Sequence, residues 1–242
     1  NADPSSATTL AVWEITSLID KITVKDIMSK KIFTVTEDTP IEEAARIMAD
    51  IGKYISLTDL YGESGVLPFT FNTINKLIWF SENRPDLAEK SHRFLFLPSI
   101  FSYMLTGEMV NDVTMAGTSM MTSLSSRKFS ESILSRIGFP VEKFGGPVEP
   151  GTVTGTITAA ASNKTGIPAG VPVAATGHDT QFAIFGSGAE INQPVLSSGT
   201  WEILMVRSES YKSERDQLDM GITTELDSRP GLYNIGNQWA AS

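Results

Sequence analysis

A short apolar strand that runs straight into Gly177-His178-Asp179-Thr180 constrains this chain more than any other feature. The run is VPVAATGHDTQFAIFGSG, Val171 to Gly188, with Val171 to Ala175 as a short buried strand. A strand that hands over to a glycine turn and then to a second apolar stretch belongs to an open α/β sheet. In such sheets ligands sit outside the carboxyl ends of the strands. Gly177 lets the backbone turn tightly and lets a ligand approach closely. Asp179 is then a carboxylate held at a strand end, a position suited to a general base. The same residue also suits the start of a helix, capping it through Thr180 and Gln181. The two roles are compatible. His178 reads as a packing or hydrogen-bonding neighbour of that turn.

Upstream the pattern is helical. Thr39, Pro40 and Glu42 form a capping box, and Ile41, Ala44, Ala45, Met48 and Ile51 recur at helical spacing up to Gly52, so a helix is expected over Pro40 to Ile51. A strand is expected just before it, Ile32 to Thr36. Asn72 to Asn83 carries an apolar stripe of Ile74, Leu77 and Ile78 and ends before Pro85. Ser99 to Leu105 is a helix stopped at Gly107, and Ser130 caps a helix that stops at Gly138. After residue 150 the pattern turns β: Thr152 to Thr158, Val171 to Ala175, then Val195-Leu196 and Trp201 to Val206 as a pair around Ser-Gly. The turn of that pair, Ser197-Ser198-Gly199-Thr200, offers hydroxyls and an amide that can cradle a phosphate. Domain junctions are expected near residues 53 and 190, giving segments 1–53, 54–189 and 190–242.

Composition narrows the function classes. The chain has 242 residues, with 19 basic and 28 acidic residues and a net charge of −9. Such a chain repels polyanions, which argues against a nucleic-acid face and leaves a single nucleotide open as a ligand. There is no cysteine, so disulfides and thiolate metal sites are excluded. No apolar run approaches the ~20 residues of a membrane span, and NADPSSATTLAVWEI has no basic start or long apolar stretch. No membrane partner and a cytoplasmic location are therefore expected. Without an initial Met, the chain reads as starting inside a longer one.

Several segments resemble the FGGY carbohydrate kinases. Phe71, Thr73, Lys76, Leu77, Trp79, Phe80, Glu82 and Asn83 stand in the order of that family's first signature. Met104 to Ser119 (MLTGEMVNDVTMAGTS) is similar to its L-T-G segment, in which an acid, here Asp112, approaches the sugar; a loop Asp is also an ordinary turn former. The G-x-D of Gly177 to Asp179 and the S-x-G-T about 20 residues later match the catalytic and second phosphate positions. Within the family the resemblance is to the L-fuculokinases first and the rhamnulokinases next.

The resemblance implies an α/β fold, part of the RNase H-like (actin-like ATPase) sugar kinase fold. It also implies transfer of the ATP γ-phosphate to the 1-hydroxyl of L-fuculose. Asp179 would be the catalytic base, Asp112 and His178 would meet the sugar, and Ser198, Gly199 and Thr200 would hold phosphate, with ATP and Mg2+ as cosubstrate and cofactor. The family's early D-x-G-x-T-x-x-R hairpin and late G-G-G loop do not occur. The expectation is therefore a chain without kinase activity, with open sheet edges that favour aggregation or a homo-oligomer.

A second resemblance covers Val24 to Gly52. VKDIMSKKIFTVTEDTPIEEAARIMADIG is similar to the opening of a CBS domain, a short β-α segment whose family binds adenosine nucleotides. The alternatives to a kinase are thus a nucleotide-binding regulatory module or a non-functional fusion.

Overall fold

A computed structural model of the chain describes residues 50–198 and 201–240. Contacts divide the chain into two units, residues 1–44 and 45–242, and the described residues belong to the second. The strand expected over Ile32 to Thr36 and most of the helix expected over Pro40 to Ile51 lie outside the described residues. At the end of that stretch Asp50–Lys53 is one 3-10 turn.

The first elements are helices bounded by the residues that capping chemistry favours. α1 (Leu57–Ser64) starts at Ser56, whose Oγ accepts from the Asp59 N–H, and ends on Gly65 at a φ of 71°. α2 (Thr73–Asn83) buries the expected stripe of Ile74, Leu77 and Ile78. Pro85, which cannot continue α2, opens α3 (Pro85–Lys90) instead. α4 (Leu97–Thr106) begins before the expected Ser99, because Pro98 fits its first turn, and stops on Gly107. It turns Leu97, Phe101 and Met104 outward on one face.

Next come β1 (Asn111–Asp112) and α5 (Val113–Gly117). The small hairpin of β2 (Thr122–Ser123) and β3 (Lys128–Phe129) follows. α6 (Glu131–Arg136) is capped by Ser130, whose Oγ accepts from Ile133 N at 3.3 Å.

The remainder is mostly strand. β4 (Pro147–Val148) lies parallel to β1. β5 (Val153–Thr156) pairs antiparallel with β6 (Pro172–Ala174), and α7 (Ala159–Thr165) joins them. α8 (Asp179–Gly186) follows β6. Then come β7 (Pro194–Ser198), β8 (Trp201–Ser208), α9 (Arg215–Asp219), β9 (Thr223–Leu226) and β10 (Tyr233–Ala240). The four long strands form one sheet in the order β7-β8-β10-β9, all neighbours antiparallel. The expected pair of Val195-Leu196 and Trp201 to Val206 is the β7-β8 ladder, in which Leu196 faces Leu204 and Ser198 faces Glu202. At Gly236 in β10 any Cβ would overlap the Leu204 carbonyl, so only glycine lets the two strands approach this closely.

The main core gathers α2, α5 and α6. Ile74, Leu77, Ile78, Met120, Met121, Ile133 and Leu134 are all buried in it. An aromatic cluster closes one end: Phe144 lies 5.2 Å from Phe94 and 5.1 Å from Phe129, centroid to centroid. A smaller cluster of Val113, Leu124 and Leu226 joins α5 to β9. Two polar contacts fasten α1 to the same sheet. Tyr61 donates to the Ile222 carbonyl at 2.6 Å, and the Thr224 N–H donates to the Gly65 carbonyl at 2.8 Å.

Candidate active site

Gly177-His178-Asp179-Thr180 is the junction between β6 and α8, as the sequence leads one to expect. His178 is the N-cap residue of α8, and Asp179 is its first helical residue. The Asp179 side chain is 97% exposed. One of its oxygens accepts from the Thr180 N–H at 2.8 Å. So the carboxylate takes part in starting the helix while almost all of it stays open to solvent. His178 is three-quarters covered, with Nδ1 3.7 Å from Asp179 Oδ1. That separation is too long for a hydrogen bond, and Nδ1 has no such partner among the described residues.

Asp112 is brought to the same place from the other side. It is 3% exposed and caps α5. Its Oδ1 accepts from Thr114 N at 2.7 Å, from Met115 N at 3.3 Å and from the Thr114 hydroxyl. Thr114 Oγ1 in turn accepts from the His178 backbone N–H at 2.9 Å. A Cβ on Gly177 would overlap the Asp112 carboxylate and the Thr114 hydroxyl. The close approach that requires glycine here is therefore made by Asp112 and Thr114 of the chain itself. The other Asp112 oxygen, Oδ2, is buried and has no hydrogen-bond partner among the described residues. Burial pushes the Asp112 carboxyl above its ordinary value, against the pull of the hydrogen bonds from Thr114 and Met115.

The expected phosphate turn is partly in view. Ser198 ends β7, exposed, with its hydroxyl donating to Glu202 Oε1 at 2.8 Å. Gly199 and Thr200 lie outside the described residues. Among the described residues no group of three His, Asp or Glu could hold a metal ion by itself. The exposed Asp179 carboxylate has the chemistry to be one ligand of a Mg2+ ion that keeps its waters. Among the described residues no helix is long and apolar enough to cross a membrane.

Behind this junction lies a polar assembly that single-residue reading of the sequence missed. Arg207, Asn234 and Glu225 stand directly opposite one another on β8, β10 and β9, so their side chains share one face of the sheet. Gln181, in the first turn of α8, lies across this row and is fully buried. Its Nε2 donates to Glu225 Oε2 at 2.7 Å, and its Oε1 accepts from Asn234 Nδ2. Asn234 Nδ2 also donates to Asp227 Oδ2 at 2.6 Å, which accepts from Arg207 Nε at 2.9 Å. Arg207 Nη1 donates to the Ala189 carbonyl just past the end of α8 at 2.5 Å. Burial raises the Glu225 carboxyl above its ordinary value; His178 and the Gln181 hydrogen bond oppose that, and Asp179 adds to it. The last strand expected from the sequence ends at Val206 and none is expected around Glu225 or Asn234, so the row emerges only from the register of β8, β10 and β9.

The profile of the FGGY family of carbohydrate kinases, N-terminal domain, matches residues 17–186. The match includes the whole β6–α8 junction and also the stretch from Val24 to Gly52 that resembles a CBS opening. L-fuculokinase of Escherichia coli (strain K12) is 50% identical to this chain over 198 residues, 82% of the chain and 42% of the enzyme. A rhamnulokinase of Bacteroides thetaiotaomicron is 34% identical over 157 residues, 64% of the chain and 32% of that enzyme. The chain thus spans well under half the length of the curated relatives it matches. Among solved structures, xylulose kinase from Rhodospirillum rubrum superposes with a TM-score of 0.73 at 20% identity, over 82% of this chain and 40% of that one. That likeness is one of fold.

Proposed function

The chain belongs to the FGGY family of carbohydrate kinases, and from that premise we propose that it carries the sugar-side catalytic segment of an L-fuculokinase. The observation that carries the reading is Asp179: an almost fully exposed carboxylate at a strand-to-helix junction, in a chain half identical to an L-fuculokinase over 198 residues. In this reading Asp179 accepts the proton of the sugar 1-hydroxyl as the ATP γ-phosphate is transferred to it. His178 lies beside that hydroxyl and orients the sugar. Asp112 supports the junction from below, and Oδ2, its one uncommitted oxygen, is the atom through which it would meet the sugar. Ser198, with Gly199 and Thr200, cradles the phosphates of the nucleotide through hydroxyls and an amide, and Mg2+ would supply charge neutralisation on those phosphates. L-Rhamnulose is the alternative sugar, on the weaker similarity to rhamnulokinases. The junctions near residues 53 and 190 are proposed as the limits of the kinase segments.

Phosphoryl transfer needs water excluded from the transferring group. Asp179 is open to bulk solvent in this chain, so the chain alone is proposed not to turn over. The test is a titration of the 242-residue protein followed by amide hydrogen exchange and by the ring signals of its histidines. L-Fuculose is expected to shift the His178 signals, and Mg-ATP to protect the backbone around Asp179. AMP binding without Mg2+, with no response at Asp179, would overturn the reading in favour of a CBS-type nucleotide module. In a coupled ADP-release assay with L-fuculose and Mg-ATP the chain is expected to be silent; turnover at enzyme-like rates would show the inactivity to be wrong.

A further inference from the structure

We propose that Gln181 is a positioning residue of this site: held on the sheet by Glu225 and Asn234, it fixes the first turn of α8 and with it Asp179 and His178. The inference rests on the reading of Asp179 as the base. It goes beyond that reading by naming what holds the base in place.

Three observations carry it. First, Gln181 sits two residues after Asp179 in the same helical turn, so any tilt of that turn moves both. Second, its amide is engaged at both atoms, giving a hydrogen to Glu225 and taking one from Asn234. A planar amide gripped at both atoms can neither rotate nor slide without losing a bond, and a buried polar group left unmatched costs about 1–3 kcal/mol. Third, the row that grips it also holds the turn that follows α8, because Arg207 donates to the Ala189 carbonyl. The start of the helix and the turn after it are thus fastened to one transverse line of a sheet. β9 and β10 of that sheet are made by residues about 40 to 60 positions further along the chain.

Asp179 itself makes few contacts that could hold it. Its carboxylate has the Thr180 N–H and a distant His178. Its precision therefore comes from what lies underneath. A catalytic group has to be held to within a fraction of an ångström by a supporting shell of locked side chains. Glu225 also sets the electrostatic surroundings of the turn, since His178 and Asp179 both act on it.

The experiment uses Gln181→Leu and Glu225→Gln in the 242-residue chain. Leucine keeps much of the volume and removes both hydrogen bonds. Glutamine at position 225 keeps an acceptor for Gln181 Nε2. The chain has only two histidines, His92 and His178, so ring signals from histidine-labelled protein are assigned by comparison with His92→Gln. In Gln181→Leu we expect the Thr180 amide to exchange at least about tenfold faster, and the His178 ring signals at fixed pH to move while those of His92 stay. Exchange within α2 should be unchanged. In Glu225→Gln the Thr180 amide should stay within about twofold of the parent, the conservative acceptor restoring what leucine at 181 destroys. If Gln181→Leu does not fold, Asn234→Ser removes the donor to Gln181 Oε1 and is read in the same way.

Unchanged Thr180 exchange and unmoved His178 ring signals overturn the proposal. So does exchange that rises equally in α2, which would make Gln181 a general stabiliser. Adding L-fuculose to the same samples separates the two ideas. A positioning effect of Gln181 with no sugar response at His178 leaves the clamp standing and removes the reading of Asp179. A sugar response that Gln181→Leu leaves untouched does the reverse.

Discussion

At the scale of single residues, the junction depends on two side chains meeting a position that has none. Gly177 faces the Asp112 carboxylate and the Thr114 hydroxyl so closely that a methyl group cannot fit. Gly177→Ala is therefore expected to destabilise the protein by about 1–3 kcal/mol, the usual cost of forcing extra volume into a packed site. It should also break the bond from the His178 N–H to Thr114. Thermal unfolding and the His178 amide shift check both, and a variant as stable as the parent would show that the junction can yield. The sequence identified Gly177 as a place of close approach but not what approaches, because Asp112 and Thr114 lie more than sixty positions earlier. Asp179 was legible, as strand-end geometry is local. Its near-complete exposure was not, since exposure depends on every other part of the chain.

At the scale of elements, capping chemistry was the most readable layer. Ser130 before α6, Gly107 after α4 and Pro85 between α2 and α3 act where the sequence puts them. α1, α5 and α7 were not read from the sequence, since each is short and its pattern gives periodicity little to work on. The row across β8, β10 and β9 was hidden for a different reason. Arg207, Asn234 and Glu225 acquire meaning only from register, and register is a long-range property. That row has a consequence for pH. The Glu225 carboxyl lies above its ordinary value of 4.5 because burial disfavours its charge. The folded protein then binds more protons than the unfolded chain between the ordinary and the raised value. Stability from this group is complete below the ordinary value and is lost as pH rises through the folded one. Glu225→Gln should gain on the parent as pH rises from the acid range to neutral, even though His178, Asp179 and Gln181 surround the site. Melting temperatures of both proteins across that range check the sign. A Glu225→Gln melting temperature that falls relative to the parent's as pH rises would contradict it.

At the scale of the whole molecule, the described unit is held by a main core with an aromatic cluster at one end, and by a smaller cluster between α5 and β9. Phe144 is 2% exposed and packs against Phe94, Phe129 and Phe139. Phe144→Ala is expected to cost about 3–5 kcal/mol, the range for removing a large aromatic from a packed core. Denaturant unfolding measures it, with the midpoint falling and the slope unchanged. The site at the β6–α8 junction should survive in the folded fraction, since its link to the cluster runs through backbone carbonyls that Phe144→Ala keeps: Asn111, next to Asp112, donates to those of Phe94 and Phe144. The α/β class and the kinase-like order of segments were visible in the sequence, because both reside in local patterns and motif spacing.

The clamp on α8 also sets a schedule. Leu67 waits for Thr223, 156 positions later, and Tyr61 for Ile222, 161 later. Gln181 waits for Asn234, 53 later, in the last strand. Contacts this distant in sequence close slowly, since the intervening loop must be gathered before they reward it. On a ribosome, which releases the chain from its N-terminus, α8 emerges with its buried amide unmatched and cannot seat until β10 has been made. Asp179 is thus synthesised well before the strand that holds the turn it stands on.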